Sequence, residues 1–287
     1  ECRLDVADVP RLHEAVHAVQ REPFGGIPTL AYARVFEEAR ARGVLVLLDG
    51  QGMDEQWAGY DYHRTPETAG TVQGVGGSAL RPGVLLPEFR AAAEAPAAPP
   101  ALRDPLQRVL VRDLTTTKLV RALRFNDRVS MRSGVELREP FLDHRLVELA
   151  LRQPAVRKLR DGENKWLVRR LARRLVPESV VTAPKRPLQT PQREWLAGPL
   201  AEWAEGRLDA LLGGPLACWF DRTAVRAEWA RFRGGETASA YHVWQWISAG
   251  ATTVPVTPSW PAEAPRAPAP FPPARTAGAT PGDREYA

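Results

Sequence analysis

The chain has 287 residues, a formal net charge of +5 and 44% hydrophobic residues, which suits one large domain or two small ones with a sizeable core. Its 39 basic residues are mixed with 34 acidic ones and lie mostly on predicted helix faces, so we expect no nucleic-acid partner. We also expect no signal peptide and no membrane partner, because no apolar run approaches the roughly 18 residues of a span. Two distant cysteines, Cys2 and Cys218, favour a reducing, cytoplasmic setting.

The first 43 residues predict two helices. Apolar residues at three- and four-residue steps place one helix within residues 1–22, after Pro10. The same spacing predicts a second helix from Thr29 to Arg42, which Gly43 ends. A strand that begins directly after such a helix is half of an α/β unit.

That strand is the apolar run Val44–Leu48, which reads directly into a glycine-containing turn at residues 49–52. A short continuous apolar run bounded by glycine indicates a strand buried on both faces, as in a parallel sheet. Two carboxylates, Asp54 and Glu55, follow the turn. In open α/β sheets ligands bind beyond the carboxyl ends of the strands, although a strand, a loop and two solvated acids would also fit.

The rest of the chain predicts helices separated by one long irregular insertion. Residues 64–104 are rich in Gly and Pro and form this insertion, with an Ala-Pro tip at 91–101. The Pro- and Ala-rich segment 255–287 is predicted to be a disordered tail. The remaining predicted helices are Pro105–Met131, one from Asp143 through Leu151, Glu163–Leu175 opened by Asp161-Gly162, Glu194–Leu212, Asp221–Arg233 and Thr237–Ala249.

Three separated pieces of the chain together resemble the synthetase domain of glutamine-dependent asparagine synthetases. The pieces are Leu48-Asp49-Gly50-Gln51-Gly52-Met53-Asp54-Glu55 with Gly59-Tyr60; Leu123 to Met131 with Gly134-Val135-Glu136-Leu137-Arg138 and Pro140 to Val147; and Asp161-Gly162, Lys165, Lys185, Thr190-Pro191 and Trp195-Leu196. Each piece alone is weak, whereas the ordered set is specific. The resemblance covers roughly residues 1–200 and continues more faintly to about residue 250.

The resemblance implies an α/β domain of the ATP-pyrophosphatase type, predominantly helical in this chain and occupying residues 1–254. Members of the family activate the side-chain carboxylate of aspartate with ATP and Mg²⁺, and ammonia from glutamine then forms asparagine. The implied substrates are therefore aspartate and glutamine or ammonia. A homodimer through a preceding N-terminal domain is a further expectation.

The resemblance also assigns roles to residues of the turn. Asp54 matches the aspartate that binds magnesium, and an acidic side chain suits a cation that bridges phosphates. Asp49 and Gly50 match positions whose backbone lies against the nucleotide, and Gly52 belongs to the same nucleotide-binding turn. Gln51 can hydrogen-bond a substrate but cannot act as a base, so its implied role is binding.

Two further residues match catalytic positions. Arg124 corresponds to a basic residue near the phosphates, and Lys185 to the lysine that stabilises adenylation, as a positive charge beside a developing anion should. The alternatives are an ion pair of Arg124 with Asp127 or Glu136, and a surface loop position for Lys185. Glu136 with Arg138 fits a buried structural pair as well as a substrate role.

The chain departs from the family in two respects. It contains neither the Ser-Gly-Gly-x-Asp-Ser phosphate loop nor the N-terminal glutaminase domain, and Cys2 is not a match for the glutaminase nucleophile. We therefore expect the C-terminal part of a longer enzyme, which by itself is catalytically incomplete. Two alternatives stay open: a ring-closing relative of the β-lactam synthetase or lasso-peptide cyclase kind, and a non-catalytic interaction module.

Overall fold

The computed structural model describes residues 2–68, 81–93, 102–184, 190–236 and 239–251. This part of the chain is largely helical and contains two separate two-stranded sheets. The predicted tail at 255–287, residues 94–101 of the insertion's tip and residues 185–189 of the loop with Lys185 lie outside the described residues. No described helix combines the length and the apolar composition that a membrane span needs.

The first two helices, α1 (Val9–Gln20) and α2 (Ile27–Ala41), confirm the prediction. Each has proline in its first turn, where the missing N–H costs nothing because first-turn amides have no intrahelical acceptor. Gly43 follows α2 with a φ of 77°, a left-handed conformation that glycine adopts without strain. The apolar faces of both helices belong to the main core through Val9, Leu12, Val16, Ile27, Leu30, Ala33 and Phe36.

The strand β1 (Val46–Leu48) pairs in parallel with β2 (Glu136–Arg138). Parallel pairing is confirmed, but burial on both faces is wrong: Val46 is 49% exposed and Leu48 is 73% exposed. Only the middle residue, Leu47, packs against the described core. The reason is that the described sheet stops at two strands, so no layer covers the second face of β1.

After the short helix α3 (Met53–Gln56), the described part of the insertion is more ordered than its composition predicts. Leu85 forms an antiparallel bridge with Phe220, and the Phe89 ring stacks on Trp219 with centroids 4.6 Å apart. Contacts with Trp219 and Phe220, at the end of the 3-10 turn Ala217–Trp219, therefore hold this segment in place. A 3-10 turn at Asp61–Arg64 leads into the insertion, whose described elements are 3-10 turns at Pro66–Thr68 and Pro82–Val84 and the helix α4 (Pro87–Ala91).

The single helix predicted from Pro105 to Met131 is wrong, because the structure has three helical pieces. They are α5 (Pro105–Arg112), a π-helix (Asp113–Thr117) and α6 (Leu119–Arg132). Three consecutive threonines occupy the π-helix; two of their side chains, Thr115 and Thr117, donate hydrogen bonds to acceptors four residues earlier, and such local bonds compete with regular α-helix. The start of α5 is as predicted, since Asp104 accepts from the Leu106 amide at 2.9 Å.

The helix α7 (His144–Arg152) is capped by Asp143 as predicted, but the next predicted helix begins too early. Asp161 and Gly162 form the turn of a hairpin between β3 (Leu159–Arg160) and β4 (Glu163–Asn164). Their φ angles are 52° and 75°, the pair of positive values that Asp-Gly favours in two-residue hairpins. The helix α8 (Trp166–Ala172) starts after this hairpin, and α9 (Glu178–Val181) follows.

Four helices complete the described chain: α10 (Gln192–Ala197), α11 (Ala201–Gly213), α12 (Arg222–Arg233) and α13 (Tyr241–Gly250). The helix predicted from Glu194 to Leu212 is divided at Gly198-Pro199, because proline lacks the amide that would continue the ladder. α11 packs along α13, whose Trp244 is fully buried. These helices form the larger part of one continuous core with α1 and α2.

Candidate functional site

The turn after β1 is organised by the side chain of Asp49. One carboxylate oxygen accepts from the Gly50 amide at 2.6 Å, and the other lies 3.4 Å from Gln51 Nε2. Gly52 has a φ of 90° and packs so closely on Leu142 that a Cβ would overlap that side chain. Glycine is therefore required at position 52 by both backbone conformation and space.

Asp54, the predicted magnesium ligand, forms an ion pair with Lys165. Lys165 Nζ lies 2.8 Å from Asp54 Oδ1, and both side chains are about four-fifths buried. Gly59 lies against the pair, since a Cβ at this position would overlap the Asp54 carboxylate and the Lys165 side chain. Lys165 itself has a φ of 56°, an uncommon conformation for a side chain of this size. Lys165 and Gly59 therefore leave little freedom in the position of the Asp54 side chain.

The donor set at Asp54 fits magnesium only as one ligand among several. Among the described residues, no three His, Cys, Asp or Glu side chains come close enough to hold a metal ion together. Magnesium bound with a nucleotide uses one or two carboxylates and takes its other oxygens from phosphate and water. Asp54 would be one such carboxylate, and in this structure it pairs with Lys165.

A second carboxyl group, Glu139, lies at the same edge of the sheet and was not predicted from the sequence. β1 and β2 are paired with Leu48 opposite Arg138, so Glu139 and Asp49 leave the two strands side by side. Burial and the negative charge of Asp49 raise the pKa of Glu139 to about 7, against a smaller effect of the Gln51 amide. A carboxyl group with this pKa can exchange a proton near neutral pH. The sequence has no local signal for Glu139 as a site residue, because only the register of β1 against β2 brings it beside Asp49.

Beyond the turn, Glu55 is buried and contacts one of two stacked tyrosines. Its side chain accepts a hydrogen bond from the Tyr60 hydroxyl at 2.6 Å, and the Tyr60 and Tyr62 rings stack with centroids 5.3 Å apart. Lys118 Nζ lies 5.1 Å and 5.5 Å from the two ring centroids, within the range of cation–π attraction. Burial raises the pKa of Glu55 and lowers that of Lys118.

Asp113, the first residue of the π-helix, holds the tyrosine pair in place through Tyr62. This fully buried carboxylate accepts from Tyr62 Oη at 2.7 Å and lies 3.1 Å from His63 Nε2. The His63 Nδ1 atom lies 3.3 Å from the Tyr60 amide, so the arrangement requires the tautomer with the proton on Nε2. The network ties the loop after α3 to the helical segment 105–132.

A cavity of about 240 Å³ lies where these elements meet. Its charged and amide-bearing lining residues include Gln51 and Glu55, and Lys118 and Arg121 from the start of α6. Sequence reasoning had identified only Gln51 of this set as a site residue. The two cations are three residues apart and therefore share a helix face, but nothing in the local pattern showed that this face meets the turn. The remaining lining residues are Gly25, Pro28, Thr29, Tyr32, Tyr60, Ala122, Phe125 and Asn126.

Arg124 does not line this cavity. Its Nε atom lies 2.8 Å from Glu22, a residue that also pairs with Arg128 at 2.6 Å. The structure therefore pairs Arg124 with the loop between α1 and α2 rather than with the anticipated Asp127 or Glu136. Glu136 pairs instead with Arg138 at 2.8 Å, and both are more than half exposed, so a buried pair at this place is excluded.

Lys185 lies outside the described residues, but Arg169 forms hydrogen bonds with the segment that precedes it. Arg169 donates to the carbonyl oxygens of Val181 and Ala183, the latter at 3.1 Å, and to that of Asn164 at 3.0 Å. Thr182, Ala183 and Pro184 line a second cavity of about 380 Å³ together with the β3–β4 hairpin. The guanidinium of Arg169 thus connects the end of α9 to the hairpin.

The parallel pair, its glycine turn and the mixed-charge cavity lie at a sheet edge of the kind where open α/β sheets bind ligands. The Asparagine synthase family model matches residues 1–254, and the chain belongs to that family. It is similar over 142 residues to a Mycobacterium tuberculosis protein named "Putative asparagine synthetase (glutamine-hydrolyzing)", with 33% identity across 49% of this chain and 21% of the relative. It is similar over 77 residues to asparagine synthetase (glutamine-hydrolyzing) 1 of Bacillus subtilis, with 36% identity across 27% of this chain and 12% of the relative. The chain therefore matches about a fifth or less of the length of these curated relatives.

Proposed function

We propose that this chain provides the synthetase part of an ATP-dependent, amide-forming ligase with an ATP-pyrophosphatase type domain. One observation carries the proposal: the turn 49–55 lies at the carboxyl end of the β1–β2 pair and lines a cavity with cationic and anionic walls. Ligands of open α/β sheets bind at this edge. The family match over residues 1–254 supports the dependence on ATP.

In the proposed reaction, a substrate carboxylate attacks the α-phosphorus of ATP and pyrophosphate leaves. An amine nitrogen then attacks the acyl carbon, the bond to AMP breaks, and the nitrogen loses a proton as the amide forms. The names of the relatives point to aspartate as the carboxylate donor and to glutamine-derived ammonia as the amine. Both substrates are part of the proposal.

The residues of the turn have distinct proposed roles. The Gly50 backbone is open on the side where a Cβ would lie, since no described atom would come within 4 Å of it, so a nucleotide can approach it closely. Asp54 contributes one oxygen to magnesium, which when bound would neutralise charge on the phosphates. Lys165 holds the Asp54 carboxylate in position. Lys185 keeps the role of stabilising adenylation that the family resemblance implies. Arg124 keeps only its implied place near the phosphates, since here it pairs with Glu22.

The test is exchange of labelled pyrophosphate into ATP that depends on a carboxylate substrate. It is measured first with this chain and then with the longest open-reading-frame product that contains it. Asp54→Asn should reduce exchange by about 10²–10³, the usual cost of one preorganised electrostatic partner, and raised magnesium should restore part of it. Lys185→Ala should reduce exchange by a similar factor without magnesium rescue.

Glu148→Gln is the matched control. Glu148 also carries a carboxylate, but its side chain is 59% exposed on α7 and pairs with Arg152. It should leave exchange unchanged. Full exchange in Asp54→Asn, or no carboxylate-dependent exchange in the longest product, would remove the basis of the proposed function.

A further inference from the structure

The segment 157–176, which contains the β3–β4 hairpin and α8, concentrates the positive charge of the chain. It has eight basic and two acidic residues and therefore a formal charge of +6, whereas the whole chain carries +5. The remaining residues together carry a formal charge of −1. A charge concentrated in one segment creates a local field that attracts a partner of the opposite sign.

The exposed cations of this segment are all arginines, and its two lysines are largely buried. Lys158 is 2% exposed, and the Lys165 side chain is 23% exposed. Arg170, Arg173 and Arg174 are exposed on α8 and in the turn that follows it. Protein–protein interfaces are enriched in arginine and depleted in lysine, so the exposed part of the segment has the composition of an interface.

Most of this arginine charge is not balanced within the described part of the chain. No described carboxylate oxygen lies within 4.0 Å of the Arg170 or Arg174 guanidinium. Arg173 lies 3.7 Å from Glu178, whose side chain is 64% exposed, and such exposed pairs are weak. The Arg170 guanidinium lies 5.0 Å from the centroid of the Trp166 ring, a neutral partner that holds it beside α8. The guanidinium groups are therefore accessible to an external anion.

An apolar stripe lies beside these arginines. Leu171 is 61% exposed and Leu175 is 82% exposed, and residues four positions apart share a helix face. The helical hydrogen bonds continue to Val176, whose amide donates to the Ala172 carbonyl at 2.9 Å. Val176 and Val180 are 39% and 59% exposed. Several apolar side chains exposed together and bordered by polar groups are typical of an interaction site.

Charge and polarity restrict what can cover this surface. A second copy of the chain in a symmetric dimer would place the same +6 segment against itself, and like charges in an interface are unfavourable. The sequence of the tail 255–287 has three acidic and three basic residues, so it has no net charge to complement the segment. Nucleic-acid phosphates would pair with the arginines but leave the leucines in water. The occupant must therefore combine acidic groups with apolar surface.

We propose that the exposed side chains of residues 170–176 together with Val180, here called the α8 face, dock a separate protein whose contact surface is apolar at its centre and acidic at its rim. An apolar centre with a charged rim is the usual arrangement of such interfaces, and arginine is a common energetic anchor in them. The inference does not depend on the proposed function, because the α8 face contains no residue of the turn 49–55 or of the cavity beside it.

Fluorescence anisotropy with three labelled peptides measures docking on the 287-residue chain. The acidic probe is a synthetic helix of about five turns, with leucine along one face and glutamate on both flanks. One comparison peptide replaces each glutamate by glutamine, and the other replaces each leucine by serine. The acidic probe should bind saturably and at least about tenfold more tightly than either comparison peptide. Its affinity should fall between about 50 mM and about 300 mM salt, because salt screens exposed charges.

Variants of the α8 face then test its charged and apolar parts separately. Arg174→Gln and Leu175→Ser should each weaken binding of the acidic probe by about tenfold, the effect of losing a central interface residue. Arg152→Gln and Leu149→Ser are the matched controls, since they remove an arginine 77% exposed and a leucine 53% exposed on α7. The controls should leave binding unchanged. Thermal melting verifies that each variant is folded, and Arg174→Gln tests the proposal even if Leu175→Ser does not fold.

Four results would overturn the proposal. The first is the absence of saturable binding of the acidic probe, and the second is equal weakening by the α7 controls. The third is tighter binding to phosphatidylglycerol vesicles than to the acidic probe, which would make the α8 face a lipid contact. The fourth is binding by the 287-residue chain but not by the longest open-reading-frame product, which would mean that another part of the parent covers the face. Pyrophosphate exchange enters none of these measurements, so either proposal can fail without the other.

Discussion

Removal of the buried carboxylate of Asp113 tests how much its hydrogen-bond network contributes to the stability of the fold around the site. Asp113 is fully buried and lies within hydrogen-bond distance of four side chains. They are Tyr62 Oη at 2.7 Å, Thr117 Oγ1 at 2.7 Å, His63 Nε2 at 3.1 Å and Arg112 Nη2 at 3.1 Å. Asp113→Ala leaves all four donors without this acceptor.

The expected loss follows from the exposure of those donors. His63 is fully buried, so its Nε2 group cannot recover a hydrogen bond from water, at a cost of about 1–3 kcal/mol. The Arg112 side chain is 20% exposed and regains some hydration, but it loses a charged partner in a largely buried setting. Breaking a buried charged network in this way costs about 3–5 kcal/mol, and we expect that range for Asp113→Ala. This is a large share of a typical stability of about 5–15 kcal/mol.

Urea unfolding followed by circular dichroism measures the loss. Thr117→Val removes one donor and should cost about 1 kcal/mol, whereas Asp127→Ala at an exposed position should stay within about 0.5 kcal/mol of the native protein. A loss below about 1 kcal/mol for Asp113→Ala would refute the argument that the carboxylate organises this network.

Acidity provides an independent check on the same carboxylate. Burial alone would raise the pKa of Asp113, but hydrogen bonds from His63, Tyr62 and Thr117 outweigh it and hold the pKa below its ordinary value of 3.8. The unfolded chain therefore binds the proton first as pH falls. The stabilisation is fully present above about pH 4 and is lost progressively below it, so the difference between Asp113→Ala and the native protein should shrink in that window.

Two further predictions concern the core and the turn. His13 has a pKa of about 3, lowered from 6.5 by burial first and by Arg207 and His17 second; the unfolded state binds more protons between these values, so stability should fall as pH decreases from 6.5 toward 3. His13→Leu should flatten this dependence in urea unfolding at pH 7 and pH 4.5, and an unchanged slope would contradict it. Gly52→Ala should destabilise by about 1–3 kcal/mol because its φ of 90° and the contact with Leu142 are both unfavourable, measured by thermal melting. Gly206→Ala, in open space on α11, should instead stabilise by about 0.5–1 kcal/mol.

The sequence by itself determined the features that depend on neighbours in the chain. The caps at Asp104, Asp143 and Asp221 follow from the side-chain oxygen of a residue and an amide two or three positions later. The glycine turn after β1 follows in the same way from local conformation. At the site, the family resemblance predicted roles for Gln51 and Asp54, but the sequence could not say what surrounds them.

Tertiary structure alone decided which distant groups meet. The parallel register sets Glu139 beside Asp49 from 90 positions away in the numbering, and packing of α6 against the turn brings Lys118 to the cavity. Lys165 reaches Asp54 because a hairpin replaces the start of a predicted helix. In the same way, the exposure of Leu48 reflects the layer next to the strand, which an apolar run cannot specify. The charge balance and the burial of a side chain depend on atoms from segments that are distant in the sequence. No local sequence pattern shows which of these segments pack together.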